Sequence, residues 1–187
     1  MNQEELDIIL ENHGKWLRDE GGERADLSNA DLKNTNLRFA NLRLADLRGA
    51  YLSYANFRGV DLRFADLSYA NLRFADLSYA NLSNADLSNV NLSNANFRGV
   101  DLSDANLNWV NWQHVEGLTV ICVQVDTTRK NNQIAYIKEL DIWITGCFQG
   151  TLDELKASVE QTHKHNEKLK KRYYRVIDFI LNEVEEE

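Results

Sequence analysis

Large apolar residues recur at every fifth position over nearly half of the chain. The series runs from Leu27 to Trp112 without interruption, and every centre between these two is Leu or Phe. A small residue stands two residues before each centre; it is Ala except at Thr35, Val60, Val90, Val100 and Val110. A five-residue step turns an α-helix by about 500° and alternates faces on a strand, so neither element buries all of these centres. The pattern therefore predicts a different backbone.

A backbone that turns a corner after every five residues does bury them. Four such sides form a square coil of twenty residues, with the centre and the small residue inside and the other three positions outside. Successive coils then stack at roughly 4.8 Å through backbone hydrogen bonds. The chain has no proline, so every ladder N–H is available. Burial of each Leu contributes about 1.5–3 kcal/mol, and we predict a β-solenoid over residues 25–112.

The repeated pattern A-[DN]-[LF]-[SR]-x, as in "ADLSYANLRFADLSYANL" at residues 65–82, resembles the pentapeptide repeat family. The resemblance covers a little under half of the chain. It implies a right-handed quadrilateral β-helix, which here would have about four to five coils.

The sequence on either side predicts a cap and a second domain. Residues 2–20 have an amphipathic helical pattern, with Asn2 and Glu5 as a capping box, so residues 1–24 are assigned to an N-terminal capping helix. Residues 113–187 are assigned to a small C-terminal α+β domain. Two or three strands are predicted there within residues 118–125 and 133–148, with a turn at residues 126–132. One helix is predicted to start at Thr151, with Thr151 and Glu154 as a capping box, and another to start near Asn166.

Composition narrows the class of protein. The start of the chain shows no signal peptide, and no window approaches 18 apolar residues, so no membrane span is expected. Two isolated cysteines favour a reducing, cytoplasmic location. The net charge is −8, but residues 25–112 hold nine acidic and eight basic residues. A neutral solenoid is not expected to bind DNA directly by counterion release.

The C-terminal segment carries a second resemblance. "GCFQGTLDELKASVEQTHKHNEKLKKRYYRVIDFI" resembles a tail found on bacteriophage and prophage proteins. This resemblance implies a phage or prophage origin, with action in the host cytoplasm, and it implies no particular activity.

Candidate chemistry is sparse. No phosphate loop, nucleophile elbow or metal-protease motif occurs, so no catalytic residue, cofactor or metal is predicted. A zinc site could in principle be formed by Cys122, Cys147, His163 and His165, but their spacing matches no common zinc module. The favoured interpretation is two core cysteines and two histidines in the loop between helices. The outward column of Asp26, Asp46, Asp66 and Asp86 is interpreted as a solvated face in preference to a cation site.

The outer surface provides the candidate binding residues. The position after Ser or Arg is bulky in the first half of the solenoid and becomes Asn or Gly later. Exposed apolar area of this size is typical of an interface, although packing of these residues on each other is an equal alternative. We call the predicted surface the belt; it consists of Arg38, Phe39, Arg43, Tyr54, Arg63, Phe64, Tyr69, Arg73, Phe74 and Tyr79.

The function predicted from these features is that of a non-enzymatic binding protein whose rigid Arg and aromatic surface contacts a host protein. One alternative is sequestration of a nucleotide-like small molecule by Arg and aromatic side chains. A second alternative comes from the resemblance, because the family includes DNA mimics that inhibit DNA gyrase. The helix predicted at residues 166–184 has enough apolar positions to form a homodimer, or to be buried within one chain.

Overall fold

The computed structural model describes residues 1–125 and 133–186 and divides into two compact units, Met1–Gly117 and Leu118–Glu187. The first unit contains helix α1 (Gln3–Leu17) and the solenoid, and the second contains an antiparallel sheet and two helices. The turn predicted at residues 126–132 lies outside the described residues. No helix in the described ranges combines the length and the apolar character that a membrane crossing requires.

Parallel pairing at a spacing of twenty residues builds the solenoid. The residue before each centre pairs with its equivalent one coil later, from Asp26 with Asp46 to Asn96 with Glu116. Backbone hydrogen bonds join neighbouring coils at each step. For example, the Leu27 N–H donates to the Asp46 carbonyl at 2.7 Å, and the Asp46 N–H donates to the Ala25 carbonyl at 3.0 Å. Four five-residue sides therefore make one coil, as the sequence predicts.

Each corner is a tight turn closed by one backbone hydrogen bond. The Ala30 N–H donates to the Leu27 carbonyl at 3.1 Å, and the same bond recurs along the solenoid. The residue two positions after each centre has a positive φ, between 55° and 68°. A positive φ at the third residue is the feature that defines a type II turn. The position that is bulky in the belt is thus the left-handed residue of a corner.

The Asp or Asn before each centre has a structural role that our sequence interpretation missed. Its Oδ1 accepts a hydrogen bond from the backbone N–H two residues later, as in Asp26 with Ser28 (3.0 Å) and Asn71 with Arg73 (3.2 Å). This is an Asx turn, which stabilises the start of each corner. Every Asp and Asn at this position makes the bond, and Tyr51 is the one residue of the series without a side-chain acceptor of this kind.

The centres form a dry axial core. Every Leu centre has at most 1% of its surface exposed, and Phe57 and Phe97 are fully buried. The Ala and Val residues beside them are buried at most positions. Interiors of this density leave little room for rearrangement when a side chain is shortened.

Truncation of a mid-solenoid centre should therefore be costly. We expect Leu67→Ala to lower the free energy of unfolding by about 2–5 kcal/mol, because the rigid coils above and below cannot close the cavity. Urea unfolding followed by circular dichroism measures this loss. A cost below that of an exposed-site control, Leu44→Ala, would contradict the buried axial column.

Helix α1 contacts the first coils through a buried histidine. The Ala25 N–H donates to His13 Nδ1 at 3.1 Å, and His13 Nε2 lies 3.1 Å from the Arg43 carbonyl oxygen. Because Nδ1 accepts, Nε2 carries the proton and donates to Arg43. Burial lowers the pKa of His13, and the nearby Arg24 charge lowers it further, against the opposing effect of the Arg43 hydrogen bond. His13 is therefore neutral in the folded chain.

This burial predicts a pH-dependent stability. A histidine that is neutral when folded and protonates near its ordinary pKa of about 6.5 when unfolded leaves stability intact above that pH and lowers it as the pH falls. We expect His13 to account for a loss of up to about 1.4 kcal/mol between pH 7.5 and 5.5.

Urea unfolding of the wild type and of His13→Gln at the two pH values tests this contribution. The His13→Gln chain should lose less stability between them than the wild type. His165→Gln, which removes an exposed histidine, serves as the control. An identical pH dependence in the wild type and His13→Gln would show that His13 is not the responsible group.

The described residues of the second unit form four strands, whereas two or three are predicted from the sequence. The strands are β1 (Val120–Gln124), β2 (Gln133–Ile137), β3 (Ile142–Thr145) and β4 (Phe148–Gly150), paired antiparallel in that order. The segment predicted to hold the later strands reverses twice, because Asp141 and Gly146 adopt positive φ values of 50° and 57°. Neither Asp141 nor Gly146 lies in a segment rich in Pro or Gly, which would have indicated a reversal in the sequence.

Helices α2 (Leu152–Thr162) and α3 (Glu167–Glu186) supply most of the second unit's core. Thr151 and Glu154 form the predicted capping box of α2. Tyr173, Ile177 and Ile180 of α3 are buried in the same cluster as Trp143 and Leu155. These apolar positions of α3 pack within the chain, whereas Phe179 is exposed, and the homodimer stays a prediction.

Candidate functional site

The twenty-residue coil sorts the outer residues of the solenoid onto four sides. Every residue has its equivalent twenty positions later on the same side, as the pairing shows. We call the side with Asp26, Asp46, Asp66 and Asp86 the Asp column. The side half a coil away carries Arg38, Arg58 and Arg98, and we call these three residues the Arg column.

The bulky belt residues are all exposed at corners. Phe39 and Tyr69 have 70% of their surface exposed, and the other belt aromatics have between 39% and 59%. They occupy corners on all four sides, so the structure does not gather them into one patch. They are Phe39, Tyr54, Phe64, Tyr69, Phe74 and Tyr79.

Part of the belt packs on itself. Tyr54 and Phe74 are one coil apart and stack in parallel, with ring centroids 4.8 Å apart and an interplanar angle of 5°. The twenty-residue period predicts this pair. Phe64 and Tyr69 are in no ring contact among the described residues, so they present free aromatic surface at two consecutive corners.

Glycine accommodates two further rings, a feature that sequence interpretation missed. The Phe39 ring lies so close to Gly59 that a Cβ there would come within 2.6 Å of it, and Tyr79 stands in the same relation to Gly99 at 3.0 Å. Both glycines lie in a repeated segment, Phe-Arg-Gly-Val, at residues 57–60 and 97–100. The alternation of an aromatic residue and Gly down one side was a readable signal.

The belt arginines have different environments. Arg63 pairs with Asp61, with 2.7 Å between Nη2 and Oδ2. Arg38 and Arg73 lie over the rings of their neighbours Phe39 and Phe74, with 5.3 Å and 5.4 Å from Cζ to the centroid. Arg43 forms no ion pair with a described residue.

Local hydrogen bonds stabilise the Asp column, and its buried member Asp46 departs from the solvated face predicted for this column. Asp46 has only 5% of its surface exposed, and both of its carboxylate oxygens accept hydrogen bonds from the Arg48 guanidinium. This contact holds the pKa of Asp46 below its ordinary value. Arg48 Nε also lies 3.8 Å from Asp66, so one guanidinium relieves the repulsion between neighbouring coils.

No group of three or more His, Cys, Asp or Glu residues that could hold a metal ion occurs within residues 1–125 and 133–186. Cys122 and Cys147 are exposed free thiols, rather than the core cysteines of our preferred interpretation. His163 stacks on Tyr173 at 5.1 Å.

Comparison with known proteins identifies the solenoid. The sequence profile described as pentapeptide repeats matches this chain in eight copies that span residues 25–111. A pentapeptide repeat protein of known structure from Nostoc PCC 7120 is 32% identical over 57% of this chain, which covers 73% of that protein, with a TM-score of 0.37. The chain belongs to the pentapeptide repeat family. Members of the family form right-handed quadrilateral β-helices and are typically structural or binding proteins.

Two other pentapeptide repeat structures show similar matches. One comes from the thylakoid lumen of Arabidopsis thaliana, with 36% identity, and the other is Rfr23 from Cyanothece 51142, with 37% identity. Each match covers 49% of this chain and 63% of the other protein, with a TM-score of 0.48. No curated protein matches the chain. None of these comparisons supports the likeness of the C-terminal segment to phage proteins, so the phage origin stays a prediction.

The contact between Phe39 and Gly59 can be tested by a double-mutant cycle. Gly59 has a φ of +67°, so Gly59→Ala should cost about 1 kcal/mol or more through backbone strain, and more still through the clash with the ring. The cost should be smaller in a Phe39→Asn background. Urea unfolding measures both.

Gly21→Ala is the matched control, because Gly21 has a φ of +84° and an added Cβ would meet nothing within 4 Å. Equal costs of Gly59→Ala in the two backgrounds would rule out the packing of Phe39 over the glycine.

Proposed function

We propose that this pentapeptide repeat protein is a non-catalytic binding protein that contacts a bacterial protein through the free aromatic residues of the belt. The main support for this proposal is the left-handed backbone conformation of these residues. Phe64 and Tyr69 have φ values of 59° and 61°, in a region that costs an ordinary L-residue roughly 1–2 kcal/mol. Asn and Gly adopt this region more readily.

The later coils show that the corner does not need a ring. Asn84, Asn89 and Asn94 occupy the same position with φ values of 60–61°, and they make the same inter-coil backbone bonds. The aromatic side chains of the earlier coils therefore carry a backbone cost that the fold itself does not require. A strained residue retained on an exposed surface supports a role in recognition.

Self-packing offsets this cost at some corners and not at others. Tyr54 gains the stacking contact with Phe74, and Phe39 covers Gly59. Phe64 and Tyr69 have no equivalent contact with a ring of the described residues, and exposed aromatic residues of this kind are enriched at the energetic centres of protein interfaces. These two residues are thus the preferred contact points.

The proposal includes the architecture predicted from the sequence. The solenoid has about four to five coils, and α1 caps its first coil. Gln3 supports the cap, because its amide accepts from the Asn36 N–H and donates to the Asn36 carbonyl, each at 3.3 Å. These bonds cover part of a sheet edge that otherwise exposes unpaired backbone groups.

The DNA-mimic alternative has less support from the charges. A DNA-like surface needs negative charge on its outer sides, whereas Arg38, Arg58 and Arg98 occupy one side here and Arg48 neutralises part of the opposite side. The nucleotide-like ligand stays a prediction, and thermal denaturation with a nucleotide panel tests it.

Immobilised protein and a bacterial lysate test the proposal. We expect a partner retained by the wild type to be retained at least tenfold less by the double variant Phe64→Asn/Tyr69→Asn, because interface aromatics contribute about 2 kcal/mol or more each. Asn suits the left-handed corner, so the variant should fold, and thermal unfolding verifies this. Mass spectrometry quantifies the retained proteins.

Trp109→Asn is the matched control, because Trp109 is an exposed aromatic at the same corner position as Tyr69, two coils later. Its capture should equal that of the wild type. Equal capture by all three chains, or no specific capture by the wild type, would reject the belt as a binding surface.

A further inference from the structure

The Asp column and the Arg column lie on opposite sides of the solenoid. The net charge of the solenoid is close to zero, but its acidic and basic residues are distributed unevenly between the sides. Residues 25–112 contain nine acidic and eight basic residues, yet four of the acids stand in the Asp column. The Arg column lies half a coil away, and its three arginines occupy the same position in three different coils. The acids on its side are Asp76 and, at the end of the ladder, Glu116.

The guanidinium groups of the Arg column are free of ion pairs. None of Arg38, Arg58 and Arg98 lies within 4.0 Å of a carboxylate of a described residue, whereas Arg48 and Arg63 on other sides are paired with aspartates. All three are exposed. Asp76, the acid among them, is engaged by the Ser78 N–H at 3.0 Å and by Asn96 Nδ2 at 3.2 Å.

Aromatic rings hold two of these guanidinium groups in place. Arg38 lies over Phe39 at 5.3 Å, and Arg58 lies over Tyr79 at 5.1 Å. The rings are themselves seated on Gly59 and Gly99, which lack the side chains that would displace them. A guanidinium stacked on a ring keeps its planar fork of N–H donors, which matches the two oxygens of a carboxylate. This side therefore favours the binding of anions, because the arginines that lie over rings lose less side-chain freedom when an anion binds.

We propose that the Arg column is the charge-recognition side of the solenoid and that it takes an acidic segment of a protein partner. This inference rests on the proposed binding function and names the chemistry of the partner. Coils repeat at roughly the strand spacing of 4.8 Å. Carboxylates of an extended chain can therefore reach Arg38 and Arg58 on successive coils, and Arg98 two coils further along.

A long polyanion such as nucleic acid fits less well. Its charge would extend beyond the three arginines and meet a chain with a net charge of −8. A short acidic segment confines its charge to the column.

Arg58 and Arg98 lie outside the predicted belt. The belt follows the bulky corner residues, and the corners beside these two arginines carry glycine.

Fluorescence anisotropy with a labelled deca-glutamate peptide tests the inference at low ionic strength. We expect the wild type to bind the peptide, and the triple variant Arg38→Gln/Arg58→Gln/Arg98→Gln to bind at least tenfold more weakly. The matched control is Lys164→Gln/Lys168→Gln/Lys171→Gln, which removes the same charge from exposed positions of the second unit and should stay within about twofold of the wild type. Thermal unfolding verifies that both triple variants fold.

Three results would overturn the inference. They are no binding of the peptide by the wild type, equal weakening by both triple variants, and tighter binding of a labelled 20-nucleotide single-stranded DNA than of the peptide. The last result would assign the column to a polyphosphate partner. None of them affects the capture assay with Phe64→Asn/Tyr69→Asn, so the proposed function can stand when this inference fails, and the two failures are distinguishable.

Discussion

The corner that follows every fifth residue is the constraint on which the rest of the solenoid depends. Each corner is closed by a hydrogen bond from the small residue's N–H to the carbonyl of the preceding centre, and its third residue has a positive φ. The Asx bond fixes the entry to the corner. Because the corners repeat at five residues, all centres point to the axis, and the coils align their backbone groups for pairing.

Regular corners separate the fold from the outer side chains. The backbone at Tyr69 and at Asn89 has the same φ within about 1°, although one side chain is a large ring and the other a short amide. The interior, the ladder and the Asx bonds therefore supply the stability, and the left-handed corner position accepts side chains of different size and chemistry. A solenoid of this kind can present different chemistry on each side without a change in its core.

The side that carries the Arg column shows how interior and exterior can be coupled. Leu37 and Leu77 are centres whose corners carry the exposed rings Phe39 and Tyr79, whereas the larger centres Phe57 and Phe97 are followed by glycine. Each ring is seated on the glycine of the next coil. Alternation of large and small groups fills both the axis and the surface, as close packing requires. The guanidinium groups gain an ordered support from the same arrangement.

The sequence alone determined the period, the inward residues, the two capping boxes and the twenty-residue stacking of Tyr54 on Phe74. These features depend on spacing and local hydrogen bonding, which a linear pattern records. The tertiary structure decided which arginines are paired, which rings are free and where the second unit's chain reverses. Those outcomes depend on contacts between coils and on left-handed residues such as Asp141, whose positive φ no adjacent Gly or Pro marks in the sequence. The distribution of charged residues over the four sides depends on both. It follows from the five-residue period, but only once the structure has placed each residue on its side.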